Sequence, residues 1–215
     1  MAMNALRVSL AVLVISAAAR LQAGTISYHA GVNGINAPAG ATFSASGGTL
    51  TLSAFTEPLI TFLGVDSEID LGQSVTITFL SPQIFSSLTL GMLFDGPEYG
   101  DGNERAGAYP NGALVPFILT ATGETTATWS LLSSTVTNLS PAVDFVGAGI
   151  WNIQNPFGTL PITSLTLSPL ASGSTGSESD FGLVAFQTHG VPDLGSTGAL
   201  LLLSLIGLAT LRRKA

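Results

Sequence analysis

The chain has 215 residues and no cysteine. It therefore excludes thiol catalysis, cysteine-zinc sites and iron–sulfur chemistry, and it leaves room for about one domain that folds without disulfides. Formal charge is −7 overall, but between Gly24 and Gly190 twelve carboxylates stand against Arg105 alone, 1 − 12 = −11, a surface that repels phosphate backbones and excludes nucleic acid as a partner.

Residues 1–23 read as a secretory signal peptide. Arg7 supplies the positive n-region, and Val8 to Ala19 is an uncharged, mostly apolar h-region of 12 residues. Leu21-Gln22-Ala23 offers a small-residue cleavage site before Gly24, with Ala17-Ala18-Ala19 as a second site before Arg20. The h-region is too short for a retained anchor, so signal peptidase is an expected partner.

From 24 to 190 the hydrophobic period is two. Leu50, Leu52 and Ala54 alternate with polar residues in 49–56, and Val75, Ile77 and Phe79 alternate with Thr76 and Thr78 in 74–80. Further strands are expected at 25–29, 59–63, 86–92, 114–121, 125–132, 145–151, 162–168 and 181–188, separated by Gly, Pro, Asn, Asp and Ser. No amphipathic helical stretch appears outside the termini. Around ten short strands with regular turns predict an all-β domain, a jelly-roll-like antiparallel β-sandwich over 24–190. The run Phe181 to Phe186 is apolar on both faces and suits a central strand. Residues 171–179 read as a loop, and His189-Gly190 as a short stalk.

The C-terminal segment begins Val191-Pro192-Asp193-Leu194-Gly195-Ser196-Thr197 and ends Arg212-Arg213-Lys214. The 18 uncharged residues 194–211 between Asp193 and Arg212 would make a helix of roughly 27 Å, near the hydrocarbon thickness of a bilayer. A basic cluster prefers the cytoplasmic side, which puts everything before Asp193 outside and agrees with the signal peptide. A plain tail anchor would need only the helix and the basic stop. A GPI signal would need a polar spacer and an apolar end. The sortase-like run Leu160-Pro161-Ile162-Thr163-Ser164 lies inside an expected strand and has Ser where that motif needs Gly.

The motif Val191-Pro192-Asp193, the Gly195-Ser196-Thr197 step, the short apolar helix and the basic end together resemble the VPDSG-CTERM variant of the PEP-CTERM sorting signals. Leu194 stands where that family has Ser. The resemblance covers residues 191–215. It implies that Val191, Pro192, Asp193, Gly195, Ser196 and Thr197 mark the processing region, with Arg212, Arg213 and Lys214 as the membrane stop. It also implies an exosortase-type processing enzyme as partner, in bacteria that make exopolysaccharide. The chain would cross the inner membrane, be anchored there transiently, and end in the cell envelope or extracellular matrix.

Candidate chemistry in the body is sparse. Asp95, Glu98, Asp101, Asn103 and Glu104 crowd a Gly-rich segment, and hard oxygens in such a loop suit calcium, although the EF-hand spacing is absent. That ion would be structural, and no other cofactor is expected. Asp66, Glu68 and Asp70 form a second acidic set, and Asp180 opens the last strand. Neither His29 nor His189 has metal-hydrolase spacing, and no G-x-S-x-G elbow exists. Glu98 with Glu124 could serve glycoside hydrolysis only if the fold faced them across a cleft. Trp129 and Trp151 read as core or edge residues, while Tyr99 and Tyr109 read as exposed positions for sugar stacking. The expectation is a non-catalytic surface protein with a structural or interaction role. The alternative is a carbohydrate- or calcium-binding module acting on exopolysaccharide.

Overall fold

A computed structural model describes residues 24–56, 59–95, 102–140, 149–171 and 179–191. Among the described residues twelve strands all pair antiparallel, and the one helix is a four-residue turn. In chain order these are β1 (Thr25–His29), α1 (Ala30–Asn33), β2 (Ala41–Ser46), β3 (Leu50–Thr56), β4 (Leu59–Val65), β5 (Ser74–Gly91), β6 (Arg105–Pro110) and β7 (Phe117–Gly123). There follow β8 (Thr126–Trp129), β9 (Thr135–Asn138), β10 (Ile150–Gln154), β11 (Ile162–Pro169) and β12 (Gly182–Gly190). The all-β expectation therefore holds. The segments 74–80 and 86–92 are one strand of 18 residues rather than two, and β2, β6 and β9 arise where no strand was expected.

β5 organises the rest. Its first half lies between β2 and β11, with Ile77 opposite both Phe43 and Leu165. Its second half pairs with β10, Leu90 opposite Trp151. Between the halves the register with β11 slips from Thr78 opposite Ser164 to Gln83 opposite Ile162. The residues skipped include Leu80, Ser81 and Pro82, all exposed. Proline has no N–H for a ladder, so it is tolerated where pairing is interrupted. Gln83 is buried at the bend, where its amide donates to the Ser81 carbonyl (3.2 Å) and accepts from the Thr188 hydroxyl (3.0 Å).

After the bend the chain returns to the end it left. Val75 faces Leu167, and Leu167 faces Ala108 of β6. Beyond the far end of β5, Phe94 accepts a backbone hydrogen bond from Glu104, just before β6. The unit thus has two ends. One holds both termini of β5 and the loops 66–73, 124–125 and 179–181. The other, the bend end, holds residues 80–82 and the loops after β6, β8 and β10.

One hydrophobic core takes side chains from both halves of β5: Val75, Ile77 and Phe79 from the first, Phe85, Leu88 and Leu90 from the second. Phe186 stacks on Tyr28 at 5.6 Å, and Phe79 meets Phe186 edge-on at 5.9 Å. Each fully buried side chain of this size contributes about 1.5–3 kcal/mol by leaving water. A smaller cluster of Ile60, Phe62, Met92, Phe94 and Val184 lies apart from this core. β12 is central as expected, and Leu183 and Val184 are both buried. Its end corrects one reading: His189 and Gly190 belong to the strand, His189 opposite Thr25, and form no stalk. The compact unit spans Thr25–His189; Gly24, Gly190 and Val191 are the described residues outside it.

Strands stop at residues with left-handed backbone. Asp66, Met92, Asn111 and Asn155 directly follow β4, β5, β6 and β10, with φ of 60°, 64°, 53° and 52°. Asx residues tolerate this region because their short side chains bond the local backbone.

Candidate functional site

The acidic end brings together residues far apart in sequence. Carboxylate oxygens of Glu68, Asp70 and Asp180 all lie within 4.8 Å of one another. Glu68 and Asp70 sit in the turn between β4 and β5. That turn is fixed by Val65 N–H to the Glu68 carbonyl (3.0 Å) and Gln73 N–H to the Asp70 carbonyl (2.9 Å). The Gln73 side chain returns the bond, accepting from Asp70 N–H at 2.9 Å. Asp180 arrives from the other direction because Ile69 donates its N–H to the Phe181 carbonyl at 2.7 Å. Ile69 and Phe181 are fully buried, so the backbone bond is dry and anchored on both sides. Gly182 completes the approach: a Cβ there would collide with the Phe62 ring.

Asp66 flanks this group without joining it. Its Oδ1 accepts the Thr49 N–H at 2.9 Å while its own N–H donates to the Thr49 carbonyl at 2.8 Å, closing the β2–β3 turn onto the β4–β5 turn. A Cβ on Gly48 would strike the Asp66 carboxylate, so the turn requires glycine there. Three carboxylates from two loops offer the hard oxygens that a calcium ion takes.

The segment expected to hold calcium is only partly described. Glu98 and Asp101 lie outside the described residues, as does Tyr99. Glu104 is buried, and its carboxylate accepts the Phe94 N–H. Asp95 and Asn103 are half-buried beside it. Tyr109 is not in an acidic loop: it stands half-buried in β6 opposite Thr166, which removes it from the exposed stacking positions. Trp129 and Trp151 are core residues as expected, their indoles donating to the carbonyls of Pro156 and Leu93, each at 2.7 Å.

The C-terminal strand carries the chain away from the acidic end. β12 begins beside Asp180 and finishes near the bend, where His189 Nδ1 lies 3.2 Å from the Ser86 hydroxyl. Val191 is the last described residue of the sorting segment; Pro192, Asp193, Gly195, Ser196, Thr197, Arg212, Arg213 and Lys214 lie outside the described residues. So do the signal peptide 1–23 and the helix expected at 194–211. Among the described residues no helix is long and apolar enough to cross a membrane. A family model for the VPDSG-CTERM motif matches residues 190–215.

The chain carries a VPDSG-CTERM motif. The match covers the C-terminal segment, the sorting signal of exosortase substrates, and leaves the β unit before it unassigned. No match to the chain was found among curated proteins. Among solved structures, the Podospora anserina GH26-CBM35 β-(1,4)-mannanase aligns at 18% identity over 70% of this chain and 29% of that one. Its TM-score is 0.22, too low to establish a shared fold. The VPDSG-CTERM motif implies export, membrane-anchored transit and processing by an exosortase-type enzyme.

Both histidines of this VPDSG-CTERM chain lie away from the acidic group. His29 borders a cleft of about 380 Å³ with Leu59, Ile60, Thr89, Ile150 and Val184. Its backbone N–H donates to Asn33 Oδ1 at 2.9 Å. Among the described residues no carboxylate lines that cleft. Sequence reading noted Glu68, Asp70 and Asp180 but did not join them. Their convergence depends on a backbone bond between residues 112 positions apart, 181 − 69, for which local pattern carries no signal.

Proposed function

We propose that this is a non-catalytic surface protein, exported by the signal peptide 1–23, held at the inner membrane by the helix 194–211, and delivered to the cell envelope by an exosortase-type enzyme. The observation that carries this reading is the VPDSG-CTERM match at 190–215. The β unit is a jelly-roll-like antiparallel sandwich whose two layers share β5. One core fed by both halves of a bent strand supports that architecture. Its role is structural or interactive within the extracellular matrix. The expected result in cells containing the processing enzyme is a surface form that ends between about 191 and 197. Intact-mass analysis finding Arg212-Arg213-Lys214 still attached to that form would reduce the tail to a plain anchor.

A second reading is favoured by the grouping of Glu68, Asp70 and Asp180. In it the unit is a calcium-binding module, and the ion stiffens the acidic end against exopolysaccharide in the matrix. Calcium at about 100 times its Kd would then add ~2.7 kcal/mol to unfolding free energy. Thermal melts with calcium, reversed by EGTA and blunted in Asp70→Asn, check it. A melting temperature indifferent to calcium removes this reading and leaves the first intact.

A further inference from the structure

β3 has a neighbour on one side only: among the described residues it pairs with β4 and with no other strand. Which of its backbone groups are spent on β4 follows from the turn at its start. Asp66 donates its N–H to the Thr49 carbonyl at 2.8 Å, so positions 49 and 66 form a hydrogen-bonded pair. Such pairs alternate along an antiparallel ladder, and the register continues them as Thr51 opposite Gly64, Ser53 opposite Phe62 and Phe55 opposite Ile60. Those three residues of β3 bond β4. Leu50, Leu52, Ala54 and Thr56 therefore turn their N–H and carbonyl groups to the open side.

Edge strands are ordinarily blunted by charge, proline or brevity. β3 is seven residues, LTLSAFT, with no charge and no proline; Glu57 and Pro58 come after it in sequence, not within it. The other one-sided strands are shorter, five residues in β1, six in β2 and four each in β8 and β9. β2 also has its Ala41 N–H taken by the Pro38 carbonyl at 3.0 Å. The open edge is held firm. Phe55 stacks on Phe62 at 5.6 Å, and the Ser53 hydroxyl donates to the Ser67 carbonyl at 3.0 Å.

Donors and acceptors at every second residue call for another extended chain as partner. That chain must match the length of β3 and bring uncharged side chains. β3 of a second copy does both, and it does so in register. With two β3 strands antiparallel about Ser53, Leu50 faces Thr56 of the second copy and Leu52 faces its Ala54, so all four outward residues bond. The alternate positions set Phe55 against Thr51, an aromatic and β-branched pair, and Ser53 against Ser53. Leu52 and Phe55, 44% and 37% exposed in one copy, are covered by the pairing.

Charge suits this orientation. The described carboxylates gather at the acidic end, where β3 begins. Antiparallel pairing carries the two Thr49–Asp66 turns to opposite ends of the ladder. Position 49 of one copy then lies level with position 57 of the other, 57 − 49 residues along, or roughly 26 Å from turn to turn. That is about three Debye lengths at physiological ionic strength, so the two acidic turns hardly repel.

We propose that β3 is a self-association edge, through which two copies join as one continuous sheet about a two-fold axis at Ser53. The same strand serves on both sides, so the contact closes at two copies. The inference goes beyond the sorting function and does not depend on how the tail is processed.

The absence of cysteine permits a direct test. Full-length protein in mild detergent carries Ser53→Cys, Thr128→Cys in β8 or Leu114→Cys, and is oxidised with diamide. Facing non-hydrogen-bonded positions bring Cα atoms to about 4.5 Å, within disulfide reach. Ser53→Cys is expected to form a linked dimer at least tenfold faster than the other two. Adding Ala54→Pro removes one outward N–H and spares the β4 bonds, while Ala54→Lys keeps the backbone and places a charge on the edge. Both are expected to abolish the dimer, and Ala54→Lys to melt like the parent. Equal rates at the three positions mean that the tail or the micelle gathers the copies, and overturn the proposal. So does Ser53→Cys that stays monomeric, or a dimer that survives both Ala54 variants. Mixed Ser53→Cys and Thr128→Cys proteins that link to each other faster than Ser53→Cys links to itself would make the contact head-to-tail, which also overturns it.

Discussion

The acidic end and the bend end are fastened by the same devices and differ in the charges they carry. Each has an indole that donates at 2.7 Å to a buried carbonyl: Trp151 to Leu93 near the acidic end, Trp129 to Pro156 at the bend. Each has an Asx residue in left-handed backbone that ties two turns together: Asp66 at one end, Asn111 at the other. Beyond these fasteners the described charges gather at the acidic end, while exposed leucines stand at both, Leu71 in the acidic turn and Leu80, Leu114 and Leu132 at the bend. The scaffold and the surface it shows are therefore separable, and mutations in one should leave the other's behaviour in place.

The tryptophans test the scaffold with the largest expected effects. Trp151→Ala empties a fully buried site and strands the Leu93 carbonyl, for an expected loss of about 3–5 kcal/mol. Trp129, 6% exposed and packed on Phe117 and Phe157, should lie at the lower edge of that range. Urea midpoints for both variants check the order. A larger loss for Trp129→Ala would place the stability of the unit at the bend and break the symmetry argued above.

How much of this was legible in the sequence depends on range. The period-two alternation gave the strand class: in 74–80 it follows burial of Val75, Ile77 and Phe79 on one face, whereas in 49–56 it marks a strand whose Leu52 and Ala54 stay exposed. β5 was divided because the alternation lapses at Leu80-Ser81-Pro82, where the strand leaves β11 and faces no core. β2 and β6, ATFSAS and RAGAYP, are short and built largely of small residues, so the edge of a neighbouring strand, not their own side chains, makes them strands. Tyr109 reads as exposed in the sequence for the same reason. The acidic group was half legible: Glu68 and Asp70 are near neighbours, but Asp180 joins them only through the Ile69–Phe181 bond. The gathering of the described charges at one end was invisible, since it appears only once β5 is known to fold back.

The paired Asx residues sharpen the comparison at smaller cost. Asn111→Ala removes side-chain bonds to Pro161 and Thr163 and puts a Cβ-bearing non-Asx residue at φ 53°, for an expected loss of about 1–3 kcal/mol. Asp66→Asn keeps both the backbone tolerance and the acceptor for Thr49, so it should be nearly neutral in stability while lowering the charge of the acidic end by one. Denaturation curves with unchanged slope, shifted strongly for Asn111→Ala and little for Asp66→Asn, are the expected pattern. Equal shifts would show that the Asp66 charge itself holds the turn.

Tyr28 gives a pH signature in the core between the two ends. Burial raises its phenol above the ordinary value of 10.0, because an ionised ring oxygen is poorly solvated there. The folded state thus holds the proton more tightly than the unfolded chain. Its contribution is complete below about pH 10 and is lost as the pH climbs through that value toward the folded one. Tyr28→Phe should cost about 1 kcal/mol at neutral pH, for the lost bond to the Gly34 carbonyl at 2.8 Å. It should also flatten the alkaline fall in melting temperature. A fall just as steep in the variant would assign it to another group.

The smallest effect on stability is expected at the exposed loop tips of the bend end. Leu114 and Leu132 make almost no contact with the unit, so Leu114→Ser and Leu132→Ser should change unfolding free energy by less than about 0.5 kcal/mol. Retaining such side chains on loop tips costs solubility and returns nothing to the fold. The double variant should therefore melt like the parent, and thermal scans check it. If instead the double variant melts much lower, the tips pack on the scaffold after all, and their exposure in the folded unit is not what sets their contribution to stability.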